Sequence, residues 1–182
     1  MQSTTTVEEA IRNRRSVRRY QADSIPLDRL TRLVELGVWA PSGGNAQTWR
    51  FVIVTRPEII RALHAVAPGM LSIPPAVIAI CQDKKLAFQR GGKLGQECTS
   101  VMDAAMAAQN IMLAAFAHGL GTCPILSFHS EAVARILGLP EGIEAELLIA
   151  IGKPAEQPVP PTRTVGDVLF INQYGDTNGK QR

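Results

Sequence analysis

Pro41-Ser-Gly-Gly-Asn-Ala-Gln-Thr-Trp49 is the stretch on which the reading of this chain turns. Pro, Ser, two Gly and Asn in succession build a turn whose backbone amides can point at a ligand. Asn45 and Gln47 each carry a donor and an acceptor on one amide, which suits a ring edge with alternating carbonyl and N–H groups. Trp49 leads straight into the apolar run Phe51-Val-Ile-Val54, a buried strand, and is expected in the core. Upstream, Leu27, Leu30, Leu33, Val34 and Val38 fall on one stripe and predict a helix opened by Pro26 and stopped before Pro41. On its own the stretch also reads as an ordinary helix-to-strand loop.

Before that helix lies Arg14-Arg-Ser-Val-Arg18. Thr6-Val-Glu-Glu9 has capping-box spacing, and Val7, Ala10 and Ile11 follow at helical intervals, so a first helix covers about 7–13. It runs into five arginines (12, 14, 15, 18 and 19), which places cations at the negative end of the helix dipole. The chain carries a net charge of +3, but without these five its 14 remaining basic residues face 16 acids. A duplex-binding surface needs a broad basic face. One focus of charge suits one small anion better, with guanidinium forks and the Ser16 hydroxyl grasping phosphate oxygens. Taken alone, the cluster reads more readily as a solvated basic face at a helix end.

Further along, Pro57–Val66 predicts a short helix and Ala76–Ile80 a second buried strand. The polar stretch 82–96, with Gly91, Gly92 and Gly95, reads as a loop or lid in which Phe88 could close over a substrate. A long helix from about Cys98 to His118 is apolar nearly all round, hence a central buried helix, and ends at Gly119 and Gly121. Ser130 is expected to cap a helix through Leu137, and Leu147–Ile151 forms a third strand. Beyond Gly152, Pro154, Pro158, Pro160 and Pro161 impose an extended segment. At 182 residues and 46% hydrophobic, the chain fits a single domain over 1–182, with a disordered start at 1–6 and an extended arm at 153–182.

Cys81, Cys98 and Cys123 are too widely spaced and odd in number for a disulfide framework, and no CxxC pair suggests a metal. His64, His118 and His129 have no partner pattern and are expected in surface or structural roles. No apolar run reaches bilayer length and the polar start has no signal-peptide core, so a cytoplasmic protein without membrane association is expected.

Together, the arginine stretch closing the first helix and the Pro41–Trp49 loop after the second resemble the nitroreductase family of FMN-dependent oxidoreductases. Ala108-Gln-Asn-Ile-Met-Leu-Ala-Ala115 with Gly119-Leu-Gly-Thr-Cys-Pro124 looks like that family's central helix and following turn. Leu137–Gly142 with Leu148-Ile-Ala-Ile-Gly-Lys-Pro154 looks like its closing helix–strand unit, so the likeness runs from about residue 7 to 170. The resemblance implies an α+β fold, a mainly antiparallel sheet wrapped by helices, in an intertwined homodimer with FMN at the interface. It implies that Arg14, Arg15, Ser16, Arg18 and Arg163 hold the FMN phosphate. Pro41, Ser42, Gly43, Asn45 and Gln47 would contact the flavin from the other subunit, and the arm would reach across to the partner. Pro124, Ile125, Leu126 and Ser127 would line one side of the flavin, with a backbone N–H near Leu126 or Ser127 at its reactive N5.

The activity so implied is hydride transfer from NADH or NADPH, through flavin N5, to nitroaromatics, quinones or related electron-poor acceptors. The flavin does the chemistry, so no catalytic side chain is named. The same fold also serves dehalogenation, enone reduction and flavin breakdown. A different class, a non-catalytic anion- or nucleic-acid-binding domain centred on the arginines, is the remaining alternative.

Overall fold

Alternating burial in two strands sets the frame of the molecule. The computed structural model describes residues 5–159 and 161–177. In β2 (Ala76–Asp83), Ala76, Ile78 and Ile80 face one side while Val77, Ala79 and Cys81 face the other, and all six are buried. Ile149 and Ile151 alternate in the same way with Leu148 and Ala150 in β4 (Ile143–Gly152). A strand dry on both faces must be covered on both. Helices α2 (Leu27–Gly37) and α5 (Ser100–Ala117) cover one side; α3 (Pro57–Val66) and α6 (Ser130–Leu137) cover the other.

The sheet order is β1-β2-β4-β3, antiparallel throughout, with β1 at Trp49–Val54 and β3 at Gly121–Ile125. This matches the expected α+β class. A bulge between Ile80 and Cys81 lets Glu146 of β4 step out of register. Helix α1 (Val7–Asn13) has its capping box in place: Glu9 N donates to Thr6 Oγ1 at 3.2 Å, and Thr6 N donates to Glu9 Oε2 at 2.7 Å. Of the expected disordered start, residues 1–4 lie outside the described chain, whereas Thr6 is this ordered cap. Gly37 brings α2 against α5, since a Cβ there would sit 2.8 Å from Ile111 Cγ1.

Several expectations need correction. The stretch 82–96 is not a loop. Gln82 and Asp83 finish β2, Asp83 also caps α4 (Lys84–Leu94) by accepting from Leu86 N, and a π-helical turn, Gly95–Thr99, feeds directly into α5. Only Gly92 breaks the run, at φ 59°, ψ −154°, a backbone conformation open to glycine. Phe88 is exposed on α4. Helix α2 ends at Gly37, ahead of Pro41, and its stripe members Leu27 and Val38 are exposed. Ser130 is the first residue of α6, whose N-cap is His129.

Helix α5 is buried on one face only. Ala104, Ala107, Ala108, Ile111 and Ala115 are buried, while Val101, Met102 and Met106 are 41–54% exposed. The continuous run Lys84–Ala117 meets the length and hydropathy of a membrane span, contrary to the sequence expectation; its buried face against the sheet is the packing of a core helix. The arm pairs briefly with the body through the bridge Tyr20–Pro154 and then exposes Val159, Val165, Val168, Leu169 and Tyr174. Residues 160 and 178–182 of the expected arm lie outside the described chain.

Candidate functional site

Past its last turn, α1 straightens into a segment that lies beside β3. Ser16 forms a parallel bridge with Thr122, and Val17 N donates to Thr122 O at 3.0 Å. Gly121 permits the contact, because a Cβ there would meet all three Val17 side-chain carbons at 2.7–2.9 Å. From the other side, Glu156 Oε1 accepts from the backbone N–H of Arg18 at 2.6 Å and of Arg19 at 3.2 Å. Ser72 Oγ bonds Arg18 O. The backbone carrying the arginines is thus pinned on three sides. That fixes where their side chains start.

Those side chains divide their work. Arg15 Nη1 turns back to the carbonyls of Arg12 and Arg14, both at 2.7 Å, and so satisfies the C-terminal end of α1. Arg14 Nη1 is buried and has no hydrogen-bond partner, and Arg15 Nε is likewise buried and unpartnered. Burial, and then the neighbouring charges of Arg15 and Arg163, push the Arg14 guanidinium below its ordinary pKa. Arg163 of the arm is thus close enough to Arg14 for their charges to act on each other. Among the described residues, none of Arg14, Arg15, Arg18 and Arg163 forms a salt bridge. Repelling cations around an unmatched buried donor are stabilised by an anion. Arg14 and Arg15 border an open cavity of about 680 Å³, whose other walls include Phe116, Leu120, Glu156 and Gln157, whereas Arg18 borders a small separate pocket with Tyr20, Met70 and Cys123.

Strand β3 continues from this segment into the residues expected along the flavin. Pro124 is half-buried and Leu126 and Ser127 are exposed beyond the strand end. Ile125 departs from expectation: its side chain is 2% exposed and packs in the core under α3 and α6, so only its backbone can face a ligand. Cys123 lies below, its thiol donating to Pro124 O at 3.7 Å; burial raises its pKa against the lowering influence of Arg18, Ser16 and Arg14.

The Pro41–Trp49 loop is built separately. Gly43–Asn45 forms one 3₁₀ turn, and Gly44, Asn45 and Gln47 all take positive φ, at 59°, 56° and 48°. Asn tolerates that region better than Gln, so Gln47 is the more strained. Several bonds hold the loop: Gln47 N donates to Ser42 Oγ at 3.1 Å, and Gly43 N to Asp103 Oδ1 at 3.0 Å. Arg90 of α4 donates to Ala46 O. Gln47 Nε2 also donates to Asn45 Oδ1 at 2.6 Å, which leaves the Asn45 amide N–H groups and the Gln47 carbonyl outward for a ligand. Thr48 and Trp49 turn inward, and Thr48 Oγ1 donates to the buried Gln82 Oε1 at 2.7 Å.

The two groups are anchored near opposite ends of α5. The loop is tied to Asp103, near the start of α5, whereas Phe116, near its end, lines the arginine cavity. Thirteen residues of helix separate them, roughly 20 Å at 1.5 Å per residue. Glu156, Asp103 and Arg90 are the contributors sequence reasoning missed. The one available signal was Asp103, the lone charged residue in a mostly apolar helix.

The chain is similar to known proteins over most of its length. A model described as the nitroreductase family matches residues 11–76 and 66–153. The chain is 32% identical to an NADH dehydrogenase of Thermus thermophilus over 82% of this chain and 87% of that one. A crystal structure of a candidate NADH dehydrogenase/NAD(P)H nitroreductase from Bacteroides thetaiotaomicron superposes with a TM-score of 0.81, at 28% identity, covering 92% of this chain and 98% of the other. The NADPH:FMN oxidoreductase of Vibrio harveyi, solved with NAD+, superposes with a TM-score of 0.82 at 25% identity, covering 94% and 79%.

Proposed function

The chain belongs to the nitroreductase family and is an NAD(P)H-dependent oxidoreductase, and from that premise we propose that it works with FMN held between two copies of itself. When bound, FMN supplies the hydride relay between a nicotinamide donor and a second, electron-poor substrate. The observation that carries this reading is the buried, unpartnered Arg14 Nη1 among unneutralised guanidiniums. It fits a phosphate. Arg14 and Arg163 grasp that group, Arg18 lies alongside, and Arg15 mainly holds the helix end in shape. Ser16, pinned beside Thr122, is placed to add a hydroxyl.

Pro124 to Ser127, at the end of β3, would line the ring system, and Ser42, Gly43, Asn45 and Gln47 from a second copy would face it. The separation of roughly 20 Å along α5 supports that arrangement, since one copy's loop does not approach its own arginines. So do the exposed apolar residues Trp39, Val101, Met102 and Met106 and the arm from Val159 to Tyr174, which together offer surface for a second copy. The residues bind, orient and exclude water; none is assigned a proton transfer. Nitroaromatics and quinones are the proposed acceptors, on the strength of the nitroreductase relatives. A cytoplasmic setting, with Cys81, Cys98 and Cys123 reduced, is proposed with them.

The test is direct. Purified protein should be yellow, release FMN on heating, and be bleached by NADH or NADPH without oxygen, after which an acceptor panel identifies what restores the colour. Colourless protein that does not take up added FMN would remove the proposal.

A further inference from the structure

The loop at Ser42–Gln47 holds a conformation that its own residues do not favour. Three of its residues take positive φ and two of these are not glycine. Such geometry persists only where surrounding structure enforces it. The enforcing contacts come from neighbouring helices. Asp103 on α5 is 3% exposed; its Oδ1 accepts from Gly43 N at 3.0 Å, while Oδ2 is buried with no partner. Arg90 on α4 donates to Ala46 O, at the opposite end of the turn. The loop also rests on the π-helical turn, where a Cβ on Gly43 would lie 3.2 Å from Thr99 Cβ.

A half-satisfied buried carboxylate is a costly way to bond one amide. Burial raises the Asp103 pKa and the Gly43 N–H only partly offsets it. Its place is explained if the bond to Gly43 sets the loop. Arg90 complements it. The residue is exposed, and among the described residues it forms no salt bridge, so its described contact is the part-buried bond to the loop carbonyl.

We propose that Asp103 and Arg90 are positioning residues that clamp the two ends of the Gly43–Ala46 turn, presenting Asn45 and Gln47 to the flavin of the partner copy. This rests on the FMN reading above for its consequence, but not for the clamp itself. The experiment therefore has two arms. Amide hydrogen exchange on the apo protein reads the loop, and FMN titration reads the consequence.

Asp103→Ala and Arg90→Ala should each speed exchange across 43–47 while leaving β2 and β4 unchanged, and weaken FMN about ten-fold. Asp103→Asn keeps an acceptor for Gly43 N and should stay within about two-fold of the parent in both arms. Unchanged exchange at 43–47 in both alanine variants would overturn the clamp, as would equal effects of Asp103→Asn and Asp103→Ala. If Asp103→Ala fails to fold, Arg90→Ala decides alone, because that residue is exposed. Loosened exchange with no FMN binding even by the parent protein would sustain the clamp and defeat the FMN reading.

Discussion

The arginine segment and the Ser42–Gln47 loop lie at opposite ends of α5 and are held by opposite means. The first is fixed through its backbone, by the Thr122 bridge, Glu156 and Ser72, with an unstrained main chain and unsatisfied side chains. The second is fixed through side chains reaching in from α4 and α5, with a strained main chain and amides already paired to one another. An anchor for a charged group gains from loose, repelling cations on a rigid track. A surface that reads the edge of a ring gains from a shaped backbone. Binding strength should therefore concentrate in the first region and orientation in the second.

The largest effect tests whether the two regions belong to one site made by two chains. An Arg14→Ala/Arg18→Ala protein and an Asn45→Ala/Gln47→Ala protein should each retain little FMN. Refolded together, half their dimers are mixed and carry one intact site beside one doubly damaged site, so about a quarter of all sites should recover. Fluorescence titration of bound flavin measures it. No recovery would place both regions in a site within one protomer and dissolve the comparison.

Next in size is the single change Arg14→Ala. Charge-assisted bonds contribute about 1.5–3 kcal/mol net, so FMN affinity should fall about ten- to hundred-fold. Riboflavin, which lacks the phosphate, should bind the variant and the parent alike. A parallel loss for riboflavin would mean that Arg14 supports structure rather than phosphate. Gly121→Val comes third. Its new Cβ would start 2.7–2.9 Å from the Val17 side chain, so the segment must shift at a cost of about 1–3 kcal/mol. Thermal unfolding should show the loss, and FMN binding should weaken with it. A variant with normal stability but weak FMN binding would show the track to be softer than its backbone contacts suggest.

The two regions also differ in how far sequence reveals them. The capping box, the bounds of α1 and α3 and the alternating strands were legible because each depends on neighbours a few positions apart. The arginines and the Pro41–Trp49 stretch stood out by composition. What holds them did not: Glu156 meets Arg18 across 138 positions and Asp103 meets Gly43 across 60, and no local pattern encodes either pairing. Helix α4 was hidden because Gly91, Gly92 and Gly95 read as breakers, whereas only Gly92 leaves helical geometry, and Gly95 is packed against Ala87 O. β3 was hidden because Gly121-Thr-Cys-Pro-Ile125 has no apolar run, its strand character coming from pairing with β4. Ile125 could not be assigned a direction before that register was known.

The smallest effect uses the cysteines as reporters of the two regions. Cys123 sits beneath the arginine segment and Cys98 in the π-helical turn beneath the loop, where it is half-buried. Cys81, fully buried with a thiol pushed up to about 11, serves as a silent internal control. At neutral pH a thiol reagent should modify Cys98 first, with Cys123 protected until the segment opens. The sign of the pH dependence follows from Cys123 being harder to ionise when folded, chiefly through burial. An unfolded thiol ionises near 8.5, so the native state then holds more protons than the unfolded one. Stability from this group is complete below about pH 8.5 and is lost as pH rises through the folded value. Labelling of Cys123 should therefore accelerate above that pH by more than its thiolate fraction alone explains, and added FMN should slow it by holding the arginines together. If Cys123 reacted as fast as Cys98 at neutral pH, the arginine segment would not be the more rigid of the two regions.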